Sequence, residues 1–228
     1  MASTYTDLGI ELMATGENAG TWGTKTNANL NLIEQLTGGH LSVSIAGGAG
    51  TTALDIDDGA LTGTAQQRVL ELTGTISGNR IITIPNDVET FYILKNSTSG
   101  AYTVEFKYVS GSGSSATFSA TDKGIKTVYA SANDGTNPDI VDVMANSSEI
   151  SLANNNPIKF NDADNSAFVG IDAPATVSGS YTLTLPAAVG SASQALVTTD
   201  GAGTLGFTST STFGISTGKA IAMAIVFG

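Results

Sequence analysis

The sequence of 228 residues contains no cysteine and one histidine, His40. The absence of cysteine excludes disulfides, thiol nucleophiles and thiolate metal sites. A single histidine excludes any site that needs a histidine pair, including the HExxH zinc motif. His40 follows two glycines between a predicted helix and a predicted strand, and the sequence offers no Ser or Asp partner for it. We therefore interpret His40 as a structural or surface residue.

Charged residues are also scarce, at 13% of the chain, and most of them are acidic. Nine Lys and Arg against 20 Asp and Glu give a formal charge of −11. So few scattered bases do not fit binding to nucleic acid through its phosphates. No apolar run reaches the roughly 18 residues that span a bilayer, and the first residues do not have the pattern of a secretory signal. We expect neither nucleic acid nor a membrane as a partner.

Small and hydroxylated residues are abundant instead, since glycine, serine and threonine together exceed a third of the chain. The hydrophobic content of 41% is too high for a disordered chain of low charge. We expect a folded protein whose surface is built mainly from Thr, Ser, Asn and Gly.

The segment TKTNANLNLIEQLTGG has the pattern of a helix, because Leu30, Ile33 and Leu36 recur at helical spacing before a Gly-Gly stop. A helix of about ten residues is marginal alone, so we expect it to dock on another surface. We interpret residues 1–40 as an N-terminal docking segment whose contact is made by three side chains: Trp22, Leu30 and Ile33.

The sequence of residues 41–145 predicts strands separated by turns. Several segments are rich in β-branched and aromatic residues, such as VLELTGTI, NRIITIP, TFYILKNS and AYTVEFKYV. The residues between them are of the types that form turns. Strands at a spacing of about 8–12 residues with no helical pattern between them predict an antiparallel β-sandwich or jelly roll. Its candidate core residues are Tyr92, Leu94, Tyr102, Val104, Phe106, Tyr108 and Tyr129.

A polar hinge leads to a second β module, residues 146–228, with predicted strands IKFND, AFVGID, SYTLTLP and QALVTTD. Thr75–Pro85 and Thr176–Pro186 align without a gap, with five of eleven positions identical. In both, an SG turn precedes an alternating strand that ends at proline. This similarity suggests that the two modules use the same hairpin.

Motifs for chemistry are incomplete throughout the chain. The segment GISTGKA resembles a phosphate-binding loop, but it is one residue short between its glycines and lacks a hydroxyl residue after Lys219. The glutamates occur in or beside predicted strands and turns, and nothing in the sequence around them marks any as a catalytic carboxylate. We predict no catalytic residue, no cofactor and no enzymatic activity.

Two acidic clusters are the candidates for holding a cation, because hard cations bind several oxygens on one turn. Neither cluster has the glutamate that completes an EF-hand loop. We interpret their side chains as groups that close turns by bonding to nearby backbone, with adventitious Ca²⁺ as the alternative. The clusters are Asp55, Asp57 and Asp58, and Asp162 and Asp164.

The C-terminal segment AIAMAIVF is apolar on both faces of a predicted strand, with large side chains on one face and Ala and Val on the other. A strand of this kind is expected to be buried on both sides, and left bare it would favour aggregation. We therefore predict that the chain associates with copies of itself, with a membrane-dipping tail as the rival interpretation. The self-association residues are Ile221, Met223, Ile225 and Phe227.

Three stretches of the chain resemble fibre proteins of tailed bacteriophages, particularly marine ones. The first, LGIELMATGENAGTWGTKTNANLNLIEQ, looks like the opening of tail-fibre and related virion proteins. The second, from AQQRVLELTGTISGNRIITIP to FYILKNSTSGAYTVEFKY, resembles a β-sandwich module of such proteins. The third, NSAFVGIDAPATVSGSYTLTLPAAVGSASQALVTTDGAGTLGF with GISTGKAIAMAIVFG, looks like their C-terminal module and tail.

The resemblance implies a homotrimeric fibre subunit located in the virion. One end would dock on other phage structural proteins of the tail or capsid, and the other would project outward, with a host-surface glycan or protein as a further candidate partner. A head fibre or capsid-decorating protein is the alternative. A carbohydrate-binding or depolymerising module is a second alternative, from a different functional class.

Overall fold

The computed structural model describes residues 2–133, 135–152, 156–162, 164 and 166–213. Within these ranges the protein is mainly β, with one α-helix and five sheets. The chain divides into two compact units, Met1–Ile150 and Ser151–Gly228. Each unit has its own architecture.

The N-terminal part of the first unit contains a short antiparallel pair, β1 (Thr4–Tyr5) and β2 (Glu11–Leu12), followed by helix α1 (Trp22–Gly38). The helix was predicted from the sequence, but it begins earlier than the predicted segment. The carbonyl of Asn18 accepts the N–H of Thr21 and of Trp22, which starts the first turn there.

The rest of the first unit forms two sheets. A five-stranded sheet has the order β11-β10-β7-β5-β3 and consists of β3 (His40–Ser44), β5 (Val69–Thr75), β7 (Thr90–Ser99), β10 (Ile125–Ala130) and β11 (Ile140–Asp142). A four-stranded sheet has the order β4-β6-β8-β9 and consists of β4 (Gly50–Ala53), β6 (Arg80–Ile84), β8 (Val104–Tyr108) and β9 (Ala116–Phe118).

The chain alternates between these sheets, and successive passes through each sheet are parallel. In the five-stranded sheet β3, β5 and β7 pair in parallel, and in the four-stranded sheet β4, β6 and β8 do the same. The pairs β3–β4, β5–β6 and β7–β8 are therefore three stacked coils. Leu72 pairs with Asn96 and Arg80 with Val104, so the third coil repeats the second after 24 residues in both sheets.

The predicted antiparallel sandwich or jelly roll is thus correct only in being a two-sheet β structure. Antiparallel pairing occurs at β8–β9, β7–β10 and β10–β11, after the third coil, whereas the four pairings among β3 to β8 are parallel. The physical reason is that the connections β3–β4, β5–β6 and β7–β8 each carry the chain from one sheet to the other, the second of them through the Ser77-Gly78 turn. The prediction of a hairpin at that turn is wrong.

A single hydrophobic core lies between the two sheets. Tyr92 from β7 and Phe106 from β8 meet in it edge to face, with ring centroids 5.4 Å apart. The prediction of a core position is wrong for Tyr102, which is 39% exposed in the loop before β8, and for Tyr129, which packs on the half-exposed Phe91 and not between the sheets. The confirmed ones are Tyr92, Leu94, Val104, Phe106 and Tyr108.

The described part of the second unit contains two hairpins and a short 3-10 helix, Thr210–Phe213. The strands are β12 (Ile158–Asn161) with β13 (Phe168–Ile171), and β14 (Gln194–Thr198) with β15 (Leu205–Ser209). Three of the four predicted strands are confirmed. The fourth, SYTLTLP, is wrong, because that segment makes only an isolated bridge from Thr184 to Thr204.

Candidate functional surfaces

The inner side of the N-terminal segment is held by Glu11, whose side chain is almost fully buried. Its backbone N–H donates to Asn29 Oδ1 at 3.0 Å, and Asn29 Nδ2 donates back to its carbonyl at 2.8 Å. Lys25 Nζ lies 3.0 Å from Glu11 Oε2. The Lys25 ammonium lowers the pKa of Glu11 despite its burial, and Glu11 in turn raises the pKa of Lys25. These contacts attach β2 to one side of α1.

The solvent side of α1 carries the three predicted docking residues. Trp22, Leu30 and Ile33 have exposed fractions of 66, 58 and 45%. At about 100° per residue they fall within a roughly 80° sector of the helix, so they form one apolar strip. The buried stripe consists instead of Leu32 and Leu36. Of the three residues whose spacing predicted the helix, Leu36 is buried, whereas Leu30 and Ile33 are exposed.

The predicted self-association residues of the C-terminal tail lie outside the described residues, as does the segment GISTGKA. These residues are Ile221, Met223, Ile225 and Phe227.

The cluster of Asp162 and Asp164 closes a turn, as predicted from the sequence, whereas Asp55 bonds to Thr64, nine residues along the chain. Asp55 accepts both the backbone N–H and the hydroxyl of Thr64, which lowers its pKa. Ser166 N–H donates to Asp162 Oδ1 at 2.9 Å and to Asp164 Oδ1 at 3.0 Å. Across the part of the chain that the structure describes, no three or more His, Asp or Glu side chains group as a metal site would require.

His40 belongs to a polar cluster on the outer face of the five-stranded sheet, centred on Glu71. Lys95 Nζ lies 2.8 Å from Glu71 Oε1, the Ser97 hydroxyl donates to the same oxygen at 2.7 Å, and His40 Nε2 lies 3.3 Å from Oε2. The serine hydroxyl bonds to the carboxylate rather than to the histidine, so the cluster is not a nucleophile–base pair. It links one strand from each of the three coils.

The cluster predicts how the stability of the first unit depends on pH. Lys95 and Ser97 lower the pKa of Glu71 to about 2 from its ordinary 4.5. Because the folded pKa is the lower one, the stabilising contribution is present above pH 4.5 and is lost as the pH falls towards 2. In urea unfolding between pH 7 and 2.5, Glu71→Gln should therefore reduce the acid-induced loss of stability.

The matched control for this prediction is Glu105→Gln, in β8 of the other sheet, which makes no ion pair within the described ranges. That variant should keep the pH dependence of the wild-type protein. Identical pH profiles for Glu71→Gln and the wild type would contradict the assignment.

A second feature of the same outer face is an aromatic pair. The rings of Phe91 and Tyr129 have centroids 5.0 Å apart and are tilted by 37°. The Tyr129 hydroxyl donates to Glu89 Oε1 at 2.6 Å, and this bond raises the pKa of Tyr129. The Glu89 carboxylate is therefore bonded to Tyr129. One carboxylate beside these two rings is not the pair of carboxylates in a groove that a depolymerising module would need.

The second unit contributes a surface that sequence reasoning missed. In its described residues no hydrophobic side chain is buried, whereas the first unit contains the whole of the buried core. The β12–β13 hairpin carries four large apolar residues in cross-strand pairs, Ile158 with Ile171 and Phe160 with Val169. The alternation in IKFND and AFVGID was the available signal for this face.

No family model matches the chain, and no curated protein or solved structure is similar to it. No helix in the described ranges is long and apolar enough to cross a membrane.

Proposed function

We propose that the protein is a non-enzymatic structural subunit of a phage virion, a homotrimeric tail fibre or appendage. Its N-terminal segment docks on other virion proteins, and its second unit is the site of self-association. The observation that carries the proposal is that no hydrophobic side chain in the described part of the second unit is buried. A β module without an internal core is completed by other chains.

Two further observations support the proposal. The apolar strip of Trp22, Leu30 and Ile33 faces solvent on a helix that is attached to β2 through Asn29 and Glu11. Exposed apolar patches of this kind are typical of protein–protein contacts. The three-fold symmetry rests on the resemblance to fibre proteins, which also supplies the virion as the location.

Imaging tests the proposal. Antibody-labelled electron microscopy of virions from a phage that carries its gene should place the protein on the tail. Label at the shell would instead support the alternative of a head fibre or capsid-decorating protein. Virions without label would contradict both assignments.

The C-terminal tail gives a separate prediction. Deletion of residues 219–228 should convert the trimer to monomer or aggregate, because it removes the four apolar residues assigned to self-association. Light scattering coupled to size exclusion measures the change in mass. A truncated protein that remains a homogeneous trimer would contradict the role of the tail.

A further inference from the structure

We infer that the β12–β13 hairpin is an interface between copies of this chain, through the face formed by Ile158, Phe160, Val169 and Ile171. We call these four residues the hairpin face. Residues directly opposite in an antiparallel pair lie on the same side, so the register places all four together. Their exposed fractions range from 50 to 72%. The inference rests on the proposed self-association and specifies the residues that make the contact.

The opposite side of the hairpin has a different chemistry. It carries Lys159, Asn161, Phe168 and Gly170, and the Lys159 ammonium lies 4.4 Å from the centroid of the Phe168 ring. A charged group therefore lies over one face of the Phe168 ring, the one large apolar side chain on that side. A two-stranded hairpin with one polar and one apolar face needs another surface against the apolar face to be stable.

The extent of the exposed apolar surface points to another copy of the second unit as the occupant. Thirteen large hydrophobic side chains between residues 152 and 207 are each at least 38% exposed. Together they present on the order of 1,000 Å² of apolar area, judged from the area of a large side chain. A stable interface buries roughly 800 Å² on each partner. The unit thus exposes enough apolar surface to form an interface with its own copies.

The distribution of charge favours the same occupant. Residues 1–150 contain 7 basic and 16 acidic residues, a net charge of −9, whereas residues 151–228 contain 2 basic and 4 acidic residues, a net charge of −2. Like charges oppose the close approach of two first units but hardly that of two second units. Identical chains can therefore meet through their second units with little electrostatic cost.

Two phenylalanines of the hairpin provide a matched test. Phe160 and Phe168 are 58 and 55% exposed and lie on opposite faces. In the full-length protein, Phe160→Ser should raise the dissociation constant of the oligomer at least tenfold, measured by analytical ultracentrifugation, whereas Phe168→Ser should leave it within a factor of three. Equal effects of the two substitutions, or no effect of Phe160→Ser, would overturn the inference.

A crosslinking experiment detects the contact without weakening the fold, because the chain has no cysteine. Val169→Cys on the hairpin face should form a covalent dimer on mild oxidation, and Phe168→Cys, one residue away on the opposite face, should not. If the face were covered by another part of its own chain, Val169→Cys would form no covalent dimer and the inference would fail.

The outcomes separate the inference from the proposed function. A wild-type protein that is monomeric at micromolar concentration would overturn both. An oligomer that crosslinks through Val169→Cys but is absent from virions would support the hairpin interface and contradict only the virion assignment.

Discussion

Replacement of Phe106 by alanine should destabilise the first unit by about 3–5 kcal/mol, which is typical of removing a large buried aromatic side chain. Phe106 lies in β8 of the four-stranded sheet and is fully buried. Its ring packs edge to face on Tyr92 of the five-stranded sheet, at 5.4 Å between centroids. The substitution therefore removes a contact that joins the two sheets, and it leaves a cavity between them.

The Tyr92 ring limits how far the surrounding side chains can move into the cavity. The Tyr92 hydroxyl donates to the carbonyl of Ala65 at 2.7 Å in a buried setting. Moving Tyr92 towards the vacated space would break this bond and leave a buried carbonyl unpaired, at a cost of about 1–3 kcal/mol. Relaxation is thus limited, and the loss should lie in the upper part of the expected range.

Urea unfolding followed by circular dichroism measures this loss, and the melting temperature should fall by about 10 °C for a unit of this size. The control is Phe91→Ala, since Phe91 lies in the same sheet as Tyr92 but is half exposed on its outer face. It should cost about 1 kcal/mol. If Phe106→Ala cost no more than Phe91→Ala, the packing of the two sheets described above would be wrong.

The sequence predicted where the strands of the first unit are, but not how they pair. The alternation in VLELTGTI and TFYILKNS identifies buried residues such as Leu70, Leu72, Tyr92 and Leu94 in either arrangement. Turn residues such as Ser77-Gly78 are equally suited to a hairpin and to an arc between sheets. The signal for parallel coils was the equal 24-residue step from Leu72 to Asn96 and from Arg80 to Val104, which carries little sequence identity.

The candidate surfaces were predicted less completely than the strands of the first unit. Apolar spacing alone placed Leu30, Ile33 and Leu36 on one helical face, but the structure buries Leu32 and Leu36. The exposure of the hairpin face could not be predicted from the sequence for a physical reason. The alternation around Phe160 shows that an apolar face exists, but it does not tell whether that face is covered within its own chain.

Replacement of Gly100 by alanine should have the next largest effect on stability, although it adds only a methyl group. Gly100 follows β7, has φ of +100°, and is in the region that L-residues rarely adopt. An added Cβ would lie 2.2 Å from the carbonyl oxygen of Ile76 in the second coil. The neighbouring Ile76 N–H also donates to the Ser99 carbonyl at 2.9 Å, so the two arcs are tied together there.

The backbone conformation costs about 1–2 kcal/mol for a residue with a Cβ, and overpacking costs a further 1–3 kcal/mol. We therefore expect Gly100→Ala to lower the free energy of unfolding by about 3 kcal/mol. The matched control is Gly48→Ala in the arc between β3 and β4, where an added Cβ meets no atom within 4 Å and φ is not positive. That variant should be neutral within about 0.5 kcal/mol. Equal stabilities of the two variants in urea would contradict the close stacking of the third coil on the second, because the stacking is what brings Ile76 against Gly100.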